Sequence, residues 1–177
     1  MGFKLSFVVA GFLATSLSCN NAIAQDQSTN RVAAKTDWSV FVEENPKECW
    51  GVSSPKETVN TRDGNVVAVR RGDILLFAFY RPSAEVKGQV TFTGGYPFAS
   101  GSTVNLNISG TEFELFTEGE WAWPASTADD AKIITAMKRG ASAVATGRSG
   151  KGTVTKDTFS LLGFSAALED AEARCAG

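Results

Sequence analysis

Val104-Asn105-Leu106-Asn107-Ile108-Ser109-Gly110-Thr111-Glu112-Phe113-Glu114-Leu115 is the stretch on which the fold turns. Val104, Leu106 and Ile108 alternate with two asparagines, and Phe113 and Leu115 alternate with Glu112 and Glu114. A period of two puts the apolar side chains on one face of a strand and the polar ones on the other. Ser109-Gly110 between the runs is a two-residue loop with glycine, the pattern of a tight antiparallel hairpin. One face is apolar and the other polar, which predicts a sheet packed on one side and wetted on the other.

The same period recurs on both sides of this hairpin. Trp38, Val40 and Val42 alternate with Ser39, Phe41 and Glu43, and Cys49-Trp50 falls in a further extended piece before the Ser53-Ser54-Pro55 break. Val66 to Val69 and Ile74 to Tyr80 are apolar runs, and the Arg70-Arg71-Gly72-Asp73 between them reads as a hairpin turn. Val90 and Phe92 share a strand face that ends at Gly94-Gly95-Tyr96-Pro97. Ala143 to Thr146 and Thr153 to Leu161 are two more strands, joined by a polar, glycine-rich turn. Two helices interrupt the pattern. The first is expected to be capped by Thr127, with Asp129 and Asp130 near its positive end, Ile133, Ile134 and Met137 as its apolar stripe, and Gly140 as a left-handed stop. The second runs from about Ser165 to Cys175. Phe164, Leu168, Ala171 and Cys175 share its buried face.

The first 24 residues carry no strand pattern. Lys4, an uncharged apolar run from Leu5 to Leu17, and Ala22-Ile23-Ala24 read as a secretory signal peptide cleaved after Ala24. The run is shorter than the roughly 20 residues a spanning helix needs, so no integral membrane protein is expected. Lipid attachment at Cys19 is the rival route, on a Ser16-Leu17-Ser18-Cys19 that fits such a site in part. Residues 25–36 read as a flexible leader, and 37–177 as a single β domain. Removing Lys4 makes a chain of net charge −2 slightly more acidic, which gives no electrostatic reason to bind nucleic acid.

Processing at Ala24 leaves Cys49 and Cys175. Two thiols in an exported chain most simply form one disulfide; two unpaired buried thiols are the alternative. The bond would close a loop spanning most of the domain, contributing roughly 4–5 kcal/mol by chain entropy, and would pin the C-terminal helix onto the sheet. The fold class is therefore mainly β: an antiparallel β-sandwich or squashed barrel with two α-helices, the last stapled by Cys49–Cys175.

The chain contains no histidine, so no Ser-His or Cys-His couple and no typical zinc site can be built. No catalytic residue, metal or cofactor is expected. Glu43/Glu44, Glu112/Glu114 and Glu118/Glu120 sit where charge meets water, and Asp129/Asp130 are explained by helix capping. A hydrolase using paired carboxylates stays open as the enzymatic alternative. Gly150-Lys151-Gly152-Thr153 lacks the spacing of a phosphate-binding loop and reads as a turn. Arg71-Gly72-Asp73 matches a tripeptide of adhesive proteins, but Gly and Asp also suit a tight turn. Asn107-Ile108-Ser109 is a glycosylation sequon with meaning only in a eukaryotic secretory route. Trp121 and Trp123 flank Ala122 and share one side of a strand. On the surface they would form a binding site for a sugar or a partner. Beside Pro124 they fit a buried core pair better.

Gly95-Tyr96-Pro97-Phe98, Ala136-Met137-Lys138-Arg139-Gly140, Ser149-Gly150-Lys151-Gly152-Thr153, Asp157-Thr158-Phe159-Ser160-Leu161 and Gly163-Phe164-Ser165-Ala166-Ala167-Leu168 follow in order, before a terminal Cys175. In this series, from about Trp38 to Cys175, the chain resembles the invasion-associated locus B family of bacterial exported proteins. The resemblance implies a small protein of the Gram-negative periplasm or cell surface. It brings no established catalytic residues, and the family's name is not carried over as a function. The expected role is that of an exported binding or accessory protein whose partner is an envelope protein, a host protein or a glycan.

Overall fold

A computed structural model describes residues 30–176. The strands are β1 (Arg31–Lys35), β2 (Trp38–Glu44), β3 (Lys47–Ser53), β4 (Glu57–Arg62), β5 (Asn65–Val66), β6 (Leu75–Arg81), β7 (Val86–Thr93), β8 (Thr103–Ile108), β9 (Thr111–Glu118), β10 (Trp121–Trp123), β11 (Ser142–Arg148) and β12 (Val154–Ser160). The helices are α1 (Thr127–Arg139) and α2 (Phe164–Cys175). All strands join one antiparallel sheet in the order β1-β2-β3-β6-β7-β10-β9-β8-β11-β12-β4-β5. The β8–β9 hairpin forms as its alternation predicts. Ile108 faces Thr111, and Ser109 and Gly110 both take positive φ, 49° and 95°, as a twist-matched two-residue turn requires.

The sheet rolls back on itself into a sandwich-like shape. The Ser54-Pro55 break sends the chain from β3 in one layer to β4 in the other, where it pairs with β12. Phe92 of β7 meets Phe159 of β12 edge to face, with centroids 6.1 Å apart. The Trp38 indole N–H donates to the Ser160 carbonyl at 3.0 Å, tying β2 to the end of β12. Trp38, Val40, Leu76, Ala78, Val90, Phe92, Leu106 and Leu115 are all fully or almost fully buried between the layers.

Helix α2 lies on the inner face of β2 and β3 through Phe164, Ala167, Leu168 and Ala171. The expected Cys49–Cys175 bond is present, with Cα atoms 5.9 Å apart and a sequence separation of 126. Gly163 precedes the helix at φ 92°, and a Cβ there would fall onto the carbonyl of Lys35. Only glycine fits both demands. Among the described residues no helix is long and apolar enough to cross a membrane. The signal peptide, its cleavage at Ala24 and the lipid alternative at Cys19 lie outside the described residues.

Four local expectations give way. The leader does not extend to Thr36, because Arg31–Lys35 pairs with β2 and Lys35 reaches Asp170 of α2 at 3.0 Å. Strand ladder bonds and this ion pair order a segment whose composition alone is small and polar. Arg70-Arg71-Gly72-Asp73 is no hairpin turn. The hairpin partner of β5 is β4, across Asp63-Gly64 at φ 51° and 79°, and residues 67–74 cross to the other layer before β6 begins. Ser126 caps α1 in place of Thr127, accepting the Asp129 N–H at 3.2 Å. Gly140 has extended backbone, φ −84° and ψ 158°. It is small because a Cβ would press on Ile108 and Ser109, not because the chain turns left-handed.

Candidate functional site: an aromatic row on the outer sheet face

Strand alternation that buries one set of side chains must turn the other set outward. In β2, β3 and β6 the inward set is Val40, Cys49, Leu76 and Ala78, so Phe41, Trp50, Phe77 and Phe79 point to the opposite face. The register then brings the rings together, since Phe41 sits opposite Trp50 and Trp50 opposite Phe79. Phe41 and Trp50 stack at 5.6 Å with planes 5° apart, Trp50 follows Phe79 at 5.8 Å, and Phe79 stacks on Phe77 at 5.1 Å. Trp121 on β10 closes the row, reaching across β7 to within 5.9 Å of Phe77. The Arg81 guanidinium lies over Phe79 at 4.8 Å and is held by Glu48 at 3.0 Å.

Trp121 is 43 % exposed and Phe116, opposite Trp123, is 50 % exposed. The expected buried core pair of Trp121 and Trp123 is therefore overturned. Ala122 between them is the inward residue, at 0 % exposure, and its small side chain lets β10 pack where an indole would not fit. Phe41, Trp50, Val52, Leu75 and Phe77 floor an open groove of about 710 Å³. Asp37, Lys56 and Asp73 stand at its edge. The Lys56 ammonium bonds Asp37 and, with the Ser160 hydroxyl, holds its carboxyl below the usual carboxylate range.

The carboxylates fall elsewhere. Glu112, Glu114, Glu118 and Glu120 are exposed along β9 and its turn into β10. Asp130 does more than favour a helix end. It is turned inward at 7 % exposure and accepts the Val90 N–H at 2.8 Å, linking α1 to β7, and burial raises its pKa. Thr155, Asp157 and Phe159 alternate inward on β12, and a carboxylate buried in such a run calls for a cation, a signal that lies in the sequence. That cation is Arg71. Its guanidinium donates to both Asp157 oxygens at 2.8 and 2.6 Å, to Asn60 Oδ1 at 3.2 Å and to the Gly94 carbonyl at 2.8 Å, and it lies over the Tyr96 ring. Its side chain is 6 % exposed. The arginine of Arg71-Gly72-Asp73 is thus committed to the interior and is not displayed at the surface.

The two thiols of Cys49 and Cys175 are consumed by their bond. No protein-family profile, curated protein or solved structure matches the chain.

Proposed function

We propose that this protein is an exported binding module of the Gram-negative cell envelope, periplasmic or at the surface, that docks a protein partner on its outer aromatic row. It acts by binding, not by catalysis. The single observation that carries this reading is the row from Phe41 to Trp121, on a face that no helix of the described chain covers. Trp121 is exposed, Phe41, Trp50 and Phe79 are half-buried and Phe77 is buried between its neighbours; aromatic clusters that reach the surface and are rimmed by charge are what binding sites are made of. The row also favours a protein over a sugar. Phe41 with Trp50, and Phe77 with Phe79, turn their ring faces to one another, so the face offers ring edges and grooves between rings. Those fit apolar side chains better than a flat sugar ring.

The envelope setting rests on the signal-peptide pattern, on the disulfide, which suits an oxidising compartment, and on the resemblance to the invasion-associated locus B family. The test is capture of proteins from an envelope extract by the wild type and by Phe41→Ala and Trp121→Ala variants. A partner retained by the wild type and lost by both variants, with their folds intact, supports the reading. Partners retained equally by all three proteins refute it.

A further inference from the structure

On the far side of the 67–74 crossover lies a second cleft, of about 710 Å³, built from segments distant in sequence. Arg62 closes β4, Arg70 and Arg71 lie in the crossover, and Lys151 tips the β11–β12 turn. Gly95 packs against Gly72 there. Its backbone has φ 70°, a Cβ would strike the Gly72 main chain, and Gly72 N–H bonds its carbonyl at 2.8 Å. This close approach fixes the crossover against the loop after β7.

Donors dominate the walls. The charge of Arg71 is met by Asp157, but Arg62, Arg70 and Lys151 form no ion pair with a carboxylate among the described residues. Arg62 instead donates to the Thr153 hydroxyl at 2.7 Å. Ser149 and Thr153 are buried at the floor, 7 % and 3 % exposed, and each hydroxyl oxygen is already accepting a bond. Both residues line the cleft, and no hydrogen bond donated by either hydroxyl is present among the described residues, so each O–H is free to donate to a ligand there. Glu120 is the one acid at the lining. In a chain with more acids than bases, three cations without carboxylate partners around two hydroxyl donors are a local reversal of charge.

We propose that this cleft binds an oxyanion group, a phosphate or sulfate carried as an ester on a small molecule or sugar. Lys151 and Arg70 supply the charge, Ser149 and Thr153 the hydrogen bonds, and Glu120 limits affinity by repulsion. The Gly150-Lys151-Gly152-Thr153 turn serves through its side chains, without the backbone cradle of a phosphate loop. The proposal is independent of the aromatic row and stands or falls without it.

The experiment is a titration of isotope-labelled protein with inorganic phosphate, with glucose 6-phosphate and with glucose, at constant ionic strength, read as amide shifts. Lys151 and Arg70 are exposed, so charge reversal there leaves the core untouched. Saturable shifts confined to Gly95 and residues 149–153 are expected for both phosphates and absent for glucose. Tighter binding of glucose 6-phosphate than of the free ion identifies the ester as the ligand; the reverse order overturns the ester and leaves free phosphate. Lys151→Glu and Arg70→Glu should each weaken binding by up to about fivefold, since one exposed charge contact is worth up to ~1 kcal/mol, and Glu120→Gln should tighten it. Shifts that do not saturate, or equal binding by the wild type and both reversal variants, overturn the site.

Discussion

Replacing both Cys49 and Cys175 with alanine removes the one covalent link between the C-terminal helix and the sheet. The 126-residue separation sets the magnitude. In the chain-entropy model a loop of that length restricts the unfolded chain by roughly 16 cal/mol/K, or about 5 kcal/mol at 25 °C. A domain of this size loses about 2–4 °C of Tm per kcal/mol, so the variant should melt roughly 10–20 °C lower. The native fold should survive, because Phe164, Ala167, Leu168 and Ala171 still bury the helix against β2 and β3. The assay is calorimetry of the wild type, the reduced wild type and the double variant, with far-ultraviolet circular dichroism below each transition. Closely similar low melting points for the last two, with native spectra, are expected. A fall of under about 2 °C, or two free thiols in the unreduced wild type by mass spectrometry, would refute the reasoning.

Three further outcomes are open to measurement. Arg71→Met strands the Asp157 carboxylate in the interior and should cost about 3–5 kcal/mol in denaturant unfolding; adding Asp157→Leu should recover much of it, and no recovery would count against a paired-charge explanation. Gly163→Ala combines a left-handed backbone with a collision at Lys35, so it should destabilise the fold by more than the roughly 1 kcal/mol of an ordinary glycine substitution in denaturant unfolding, and a neutral effect would contradict the described contact. Asp130 has a carboxyl pushed up by burial, so the stability it contributes is fully present below its unfolded pKa near 3.8 and is lost as pH rises through its higher folded value. Asp130→Asn keeps an oxygen for the Val90 N–H and should flatten the stability–pH curve just above pH 3.8; an unchanged slope there would sink the assignment.

The parts of the fold that could be read in the sequence are those decided by neighbours a few residues apart. Alternation at Val104, Leu106 and Ile108, the Ser109-Gly110 turn, and the helical spacing of Phe164, Leu168, Ala171 and Cys175 each carry their own answer. The Asp63-Gly64 turn is an equally local signal, but Arg70-Arg71-Gly72-Asp73 a few residues on offers the same turn-forming Gly and Asp without making a hairpin. What Arg71 does depends on Asp157, 86 residues away, and no local pattern states that. Trp121 and Trp123 illustrate a different gap. Period-two alternation says that they share a side, but not which side is the core, and only the Ala122 position inside the sheet decides it. The candidate site follows the same rule. Each ring of the aromatic row can be seen on its own strand, while the row itself appears only when the register of β2, β3, β6 and β10 is known. The cationic cleft draws on five separate stretches of chain and has no sequence signature of its own.

In the proposed function the outer aromatic row is the surface through which this protein binds. The most direct measurement is the affinity of the captured envelope partner for the wild type and for Trp121→Ala, whose side chain lies at the exposed end of the row. Truncating a buried interface tryptophan typically costs about 2 kcal/mol or more, so a loss of about thirtyfold is predicted, with an unchanged melting point. Equal affinity of the two proteins for that partner would contradict the account.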